Sequence, residues 1–253
     1  MTKIKYYFYN TRDGEKIRYI HNKSKSKIII IFLHGMMSDI NGKKVKYIYK
    51  LSKKLNINFL AFDLLGHGKS SGNFSDFGIG DWYNQSKEII KGLVKNKKII
   101  LIGSSMGGWI GILLLKKLKS VIAFIGIAAA YNFTENKMWN NFSFKIKKRI
   151  LKGKIHNLKN SYGGSYPISI NLIRNSKKYL LNKKKINLKI PITLITGQKD
   201  KVVSFKDVLD MNMIINSKDK KIFVQKDGDH SLSKIQDLKR IEEIILDILK
   251  NKI

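Results

Sequence analysis

The run Lys98-Ile99-Ile100-Leu101-Ile102-Gly103 is apolar, rich in β-branched residues, and closed by a glycine. Ser104-Ser105-Met106-Gly107-Gly108-Trp109 follows, and then an apolar helical stretch to Lys117. Few folds accommodate such a segment. It describes a strand, a sharp turn and a helix that lift one hydroxyl above the end of a parallel sheet. Gly103-x-Ser105-x-Gly107 carries small residues where the strand and helix backbones must close on each other. Ser105 is therefore the candidate nucleophile. The pattern alone is weak, because a serine before a helix also reads as an N-cap. The remainder of the chain has to supply the partners.

Strand-like runs alternate with helical patterns elsewhere. Lys3 to Tyr9 and Glu15 to His21 flank Asp13-Gly14, a hairpin signal. The runs Lys27 to Leu33, Asn58 to Asp63, Val121 to Ile127, Pro191 to Thr196 and Lys220 to Gln225 read as further strands. Asn41 to Leu55, Asp81 to Lys95, Met106 to Lys117 and Leu232 to Lys250 read as helices. Apolar strands separated by helices predict a mostly parallel α/β sheet of about eight strands, covered on both faces. Residues 131–188 break the rhythm. They are basic, with Lys145, Lys147, Lys148, Arg149, Lys152 and Lys154 close together, and hold Trp139, Phe142, Phe144, Tyr162 and Tyr166. We expect a small helical cap there, inserted into a core made of residues 1–130 and 189–253.

A serine hydroxyl is a poor nucleophile near neutral pH and needs a base. Of the five histidines, only His230 follows the last predicted strand, in a loop that can reach the carboxyl end of the sheet. The base needs an orienting acid. Asp200 stands just past the strand ending at Thr196, whereas Asp227 and Asp229 sit close to His230 in sequence and read as turn formers. The order Ser105, Asp200, His230 is that of α/β-hydrolases. The oxyanion calls for backbone donors, for which the N–H groups of Met36 and Met106 are the candidates. His34, Asp63 and His67 read as structural. Met36, Met37, Met106, Trp109 and the aromatics of residues 131–188 are candidates for an apolar acyl pocket.

Composition limits the alternatives. With no cysteine, the 253-residue chain has no disulfide, thiolate nucleophile or Cys-ligated zinc. No run approaches the roughly 18 to 20 apolar residues of a membrane span, and MTKIKYYFYN lacks the apolar core of a signal peptide. A cytoplasmic protein is expected. The net charge is +32, yet only five of the 50 basic residues are arginine, the residue preferred for phosphate and base recognition. We therefore read the charge as compositional drift, with weak attraction to anionic surfaces and no specific nucleic-acid partner.

These motifs resemble the α/β-hydrolase superfamily over nearly the full length. The likeness rests on His34-Gly35-Met36, Asp63-x-x-Gly66-His67-Gly68-x-Ser70, Gly103-x-Ser105-x-Gly107, Gly197-x-x-Asp200 and Asp229-His230. In closer detail the chain is similar to the abhydrolase domain-containing protein 10 branch, the palmitoyl-protein thioesterases and acyl-glucuronide esterases. Asn41-Gly42, Gly80-Asp81-Trp82, Gly108-Trp109 and Ile125-Gly126-Ile127-Ala128-Ala129-Ala130 carry that likeness. It implies an α/β-hydrolase fold with a small cap, no cofactor and no metal. It also implies hydrolysis of esters or thioesters, with a small-molecule or acyl-protein substrate and Ser105, Asp200 and His230 as the triad. Peptidase, C–C bond hydrolase and acyltransferase chemistry use the same triad. A binding protein on a hydrolase scaffold is the alternative of another class. Oligomeric state is left open.

Overall fold

The computed structural model describes residues 4–160, 163–181 and 185–252. The chain opens with the antiparallel pair β1 (Tyr7–Asn10) and β2 (Lys16–Asn22), joined through Gly14 at φ 83°. It continues through β3 (Ile28–Leu33), α1 (Lys43–Lys54), β4 (Asn58–Phe62), α2 (Ile79–Leu93), β5 (Lys98–Ser104), α3 (Met106–Leu115) and β6 (Val121–Ile127). Two single turns, Thr134–Met138 and Trp139–Asn141, lead to α4 (Phe144–Leu151), the hairpin β7 (His156–Lys159) and β8 (Ser165–Ile168), and α5 (Ile170–Lys177). The two-residue β9 (Ile186–Asn187) precedes β10 (Ile192–Gly197), α6 (Phe205–Ile214), β11 (Ile215–Asn216), β12 (Lys220–Gln225) and α7 (Ile235–Lys252).

Eight strands form one sheet in the order β1-β2-β4-β3-β5-β6-β10-β12. β1 with β2 and β2 with β4 are antiparallel, and every other neighbouring pair is parallel. The central strands explain themselves. All six residues of β3 are buried, which requires cover on both faces. Because side chains alternate, Ile29, Ile31 and Leu33 join one core with α2 and α3, and Ile28, Ile30 and Phe32 join the other with α1 and α7. Helix α1 meets its core through Val45, Ile48, Tyr49 and Ser52, all buried on one stripe of an otherwise lysine-rich helix. Helix α3 is buried at every position, as expected of a central helix with no polar face.

Several details depart from the sequence reading, the short parallel pair β9 and β11 among them. The first strand starts at Tyr7, with Ile4, Lys5 and Tyr6 outside the ladder and Lys3 outside the described residues. Helix α6 was not anticipated, although Ser204-x-x-Asp207 is a capping box that announces it, with Val208, Met211 and Ile214 buried behind. The segment after β6 holds the expected helices α4 and α5, and the hairpin β7–β8 in addition. Among the described residues no helix is long and apolar enough to cross a membrane.

Candidate active site

Ser105 joins β5 to α3 at φ 50° and ψ −118°. That is a costly conformation for a residue with a side chain, on the order of 1–3 kcal/mol. It is held by its surroundings. Ser105 N–H donates to Ile127 O at 2.9 Å, and Ser105 O accepts from Gly108 N at 2.8 Å and from Ala130 N at 3.1 Å. Gly107 lets α3 press onto β3, since a Cβ there would lie 2.3 Å from Leu33 O. Among the described residues seven non-glycine residues have positive φ, and three of them are asparagines, which adopt it readily. The other four, Met37, Ser105, Ala128 and Leu232, all lie in loops beyond the carboxyl ends of sheet strands or next to His230.

The loops after β10 and β12 bring the predicted partners to the serine. Lys199 N–H donates to Gly228 O at 2.9 Å, and a Cβ on Gly197 would meet that same oxygen at 2.3 Å. The two loops are thus in direct contact. His230 Nε2 lies 3.0 Å from Ser105 Oγ, and His230 Nδ1 lies 2.8 Å from Asp200 Oδ2. A carboxylate only accepts, so Nδ1 carries the proton and Nε2 is free to accept from the serine hydroxyl. Asp200 Oδ1 accepts from Val202 N at 2.8 Å and Val203 N at 2.9 Å, and the side chain is fully buried. Asp227 instead pairs with Lys199 at 2.7 Å, which holds its carboxyl below the usual range. Asp229 accepts from Ser231 N and Leu232 N and closes the turn.

The loop after β3 lies against the serine, with a Cβ on Gly35 placed 3.2 Å from Ser105 Cβ. Met36, the next residue, lines the same cavity as Ser105 and His230. Met106 opens α3 directly after Ser105, and its side chain is fully buried in the core. His34 is occupied at both nitrogens: Nδ1–H donates to Gly35 O at 2.8 Å and Nε2 accepts from Leu64 N at 3.0 Å. Burial pushes its pKa down to about 4, so it is a neutral tie between the loops after β3 and β4. Asp63 accepts from Arg18 Nε at 2.6 Å, Ile40 N at 2.9 Å and Lys69 N at 3.0 Å, far from any acid role. His67 packs its ring against Phe74, Trp82 and His34.

Ser105 opens into a cavity of about 630 Å³. Met36, Met37, Phe133, Met138, Leu158 and Tyr166 supply its apolar wall. The aromatic and methionine candidates divide accordingly. Met106 and Trp109 belong to the core, where Trp109 Nε1 donates to Tyr179 O at 3.0 Å. Phe142 is buried, Phe144 points outward, and Tyr162 lies outside the described residues. Sequence reasoning missed Lys44. From α1 it lines the cavity and donates to Ser231 O and, at 3.3 Å, to Ser233 Oγ. Nothing in its local sequence distinguishes it from the other lysines of α1.

A sheet of this order with this serine turn defines an α/β-hydrolase. The chain belongs to the α/β-hydrolase family described as serine aminopeptidase, S33, whose model matches residues 24–175. It is 30% identical over 213 residues to the mitochondrial palmitoyl-protein thioesterase ABHD10 of Rattus norvegicus, covering 83% of this chain and 71% of the relative. To the Bos taurus protein of the same name it is 28% identical over 245 residues, 96% of this chain and 79% of the relative. The solved structure of mouse alpha/beta hydrolase domain-containing protein 10 superposes with a TM-score of 0.87 at 27% identity, over 98% of this chain and 99% of that one. The family and these relatives make the protein a hydrolase.

Proposed function

We propose that the protein is a serine hydrolase of carboxylic esters or thioesters that works through an acyl-enzyme on Ser105. The observation that carries the reading is the unbroken relay from Ser105 Oγ through His230 to Asp200, at 3.0 and 2.8 Å, beneath an apolar-walled cavity. His230 Nε2 takes the hydroxyl proton as Oγ attacks the acyl carbonyl. The oxyanion is held by the N–H groups of Met36 and Met106. The tetrahedral adduct collapses, and His230 returns the proton to the leaving alcohol or thiol. Water, deprotonated by His230, then releases the acid and restores Ser105. Asp200 fixes the imidazole tautomer. Since the donors at Met36 are main-chain, Met36→Leu retains activity.

The family description raises an aminopeptidase as a competing reading. Such an enzyme needs an unpaired carboxylate to hold the substrate ammonium. The two aspartates in the cavity wall are already paired, Asp207 with Lys137 at 3.0 Å and Asp210 with Lys206 at 3.0 Å. That favours an uncharged acyl group, in a small molecule or on an acylated protein. We take residues 131–188 as the cap that supplies much of the cavity wall. We carry a cytoplasmic location in the proposal; the mammalian relatives are named as mitochondrial, and cell fractionation distinguishes the two.

The test is an acyl-chain series of p-nitrophenyl esters and matched thioesters, with a fluorophosphonate probe alongside. Labelling of Ser105 and loss of turnover in Ser105→Ala are expected. Unchanged turnover in that variant, or a wild-type protein that resists the probe, overturns the reading in favour of a non-hydrolytic binding protein.

A further inference from the structure

Between Glu135 and Asp200 the sequence holds 16 lysines and arginines and no acidic residue. An even spread of the chain's 18 acidic residues would place about four to five there. Drift toward lysine accounts for the basic residues but not for this gap. The structure gathers part of the segment on one surface. Lys145, Lys148 and Arg149 of α4 are exposed, as are Lys152 and Lys154 in the turn that follows. The same surface carries Phe144, 81% exposed, with Leu151 at 52% and Ile155 at 46%. Among the described residues no large apolar side chain is more exposed than Phe144. Phe144 and Leu151 are seven residues apart, hence on one helix face, with Lys148 between them. Ile150, about 100° round the helix from Leu151, is fully buried and anchors the inward side.

We propose that this face of α4 and its exit turn docks on an anionic lipid bilayer. A phenylalanine and two aliphatic side chains set among lysines match an interface in which apolar groups enter the acyl boundary and cations meet acidic headgroups. Charge complementarity selects the acidic leaflet. Nucleic acid fits less well, because the apolar residues would face phosphates and Arg149 is the only arginine of the patch. The docking face adjoins the cavity. Helix α4 leads into the hairpin whose Leu158 and Tyr166 wall it, and Phe142, just before α4, packs edge-on to His156 of that hairpin with ring centroids 5.1 Å apart. Docking would bring the cavity to a surface rich in acyl chains, a consequence that rests on the proposed hydrolase reading, as the docking itself does not.

The full chain is sedimented with phosphatidylcholine vesicles, with and without about one-third phosphatidylglycerol. Binding to the anionic vesicles alone is expected. Changing Lys145, Lys148, Arg149 and Lys152 together to glutamine weakens it by about tenfold or more. Phe144→Ser with Leu151→Ser weakens it severalfold at unchanged net charge. Lys46, Lys50, Lys239 and Lys250, exposed on the helices of the other sheet face, serve as a charge-matched control and shift it less than about twofold. Equal loss in the control set, no effect of the serine pair, or binding to duplex DNA without binding to vesicles overturns the proposal. Hydrolysis of water-soluble p-nitrophenyl acetate is read in parallel. It persists in the α4 variants, whereas Ser105→Ala abolishes it and leaves vesicle binding intact. Docking and hydrolysis can therefore fail separately.

Discussion

Lys44 Nζ donates to the main-chain oxygen of Ser231, so the residue next to His230 is fastened to helix α1. Burial pushes the Lys44 pKa down to about 8, and at neutral pH the ammonium still donates. A shift of about 1 Å at a reacting group can cost up to 100-fold. Lys44→Met is expected to stay folded by circular dichroism while fluorophosphonate labelling of Ser105 slows by about tenfold. Lys44→Arg, which keeps donors in place, recovers part of the rate. Labelling at the wild-type rate in Lys44→Met would show that the tie is dispensable.

Gly35 and Gly107 respond differently to the same added methyl group. On Gly107 it would meet Leu33 O and C at 2.3 and 2.7 Å, backbone atoms of a central strand that cannot move aside. Gly107→Ala should destabilise the fold by about 3 kcal/mol or more, seen as a lowered urea midpoint. On Gly35 it would meet Ser105 Cβ at 3.2 Å, a contact relieved by a few tenths of an ångström. Gly35→Ala should keep most of its stability and lose kcat, because the displaced atoms belong to the serine. Equal midpoints for the two variants would contradict this account.

Asp63 tests structure against catalysis. Its carboxylate is fully buried and paired to Arg18, itself 6% exposed. Asp63→Asn leaves the buried guanidinium only its longer pairing with Asp39 at 3.6 Å, a loss approaching the roughly 3–5 kcal/mol seen when one member of a buried pair is removed. A lowered melting temperature is expected, with kcat per folded molecule nearly unchanged. A stable but inactive variant would assign Asp63 to the chemistry.

His34 and His67 make the fold acid-sensitive. Burial, the leading cause in both, lowers the pKa of His34 to about 4 and of His67 to about 3. Their unfolded value is near 6.5, so below it the unfolded chain binds protons that the folded chain refuses. Stability is therefore complete above about pH 6.5 and falls as pH drops toward 4, by roughly 1.4 kcal/mol per pH unit for each histidine. Urea unfolding at pH 7, 6 and 5 measures the slope. His67→Phe should lower it by about one proton. Leu65 O keeps its hydrogen bond from Trp82 Nε1 at 2.9 Å after that change.

The sheet was legible because its strands announce themselves twice. Ile28 to Leu33 and Lys98 to Gly103 are apolar throughout, and helical patterns separate them from the next runs. Ser105, Asp200 and His230 could be chosen from the order of residues relative to predicted strand ends, and the structure brings the three together. The hairpin β7–β8 was hidden, because His156-Asn157-Leu158-Lys159 and Ser165-Tyr166-Pro167-Ile168 are short and half polar. Lys44 was hidden for another reason. Its partner is a carbonyl 187 residues away, and no local pattern encodes a contact with a main-chain oxygen.

The placement of the relay across the sheet also sets when activity can arise. Ser105 leaves the central strand β5, and its turn is complete once β3, β5 and β6 have paired. His230 arrives only behind β12, the outermost strand on that side. On a ribosome that releases the chain from its amino end, Ser105 emerges 125 residues ahead of the histidine that faces it. On the proposed mechanism, the nascent chain is silent toward any ester it meets until the final edge of the sheet is laid down.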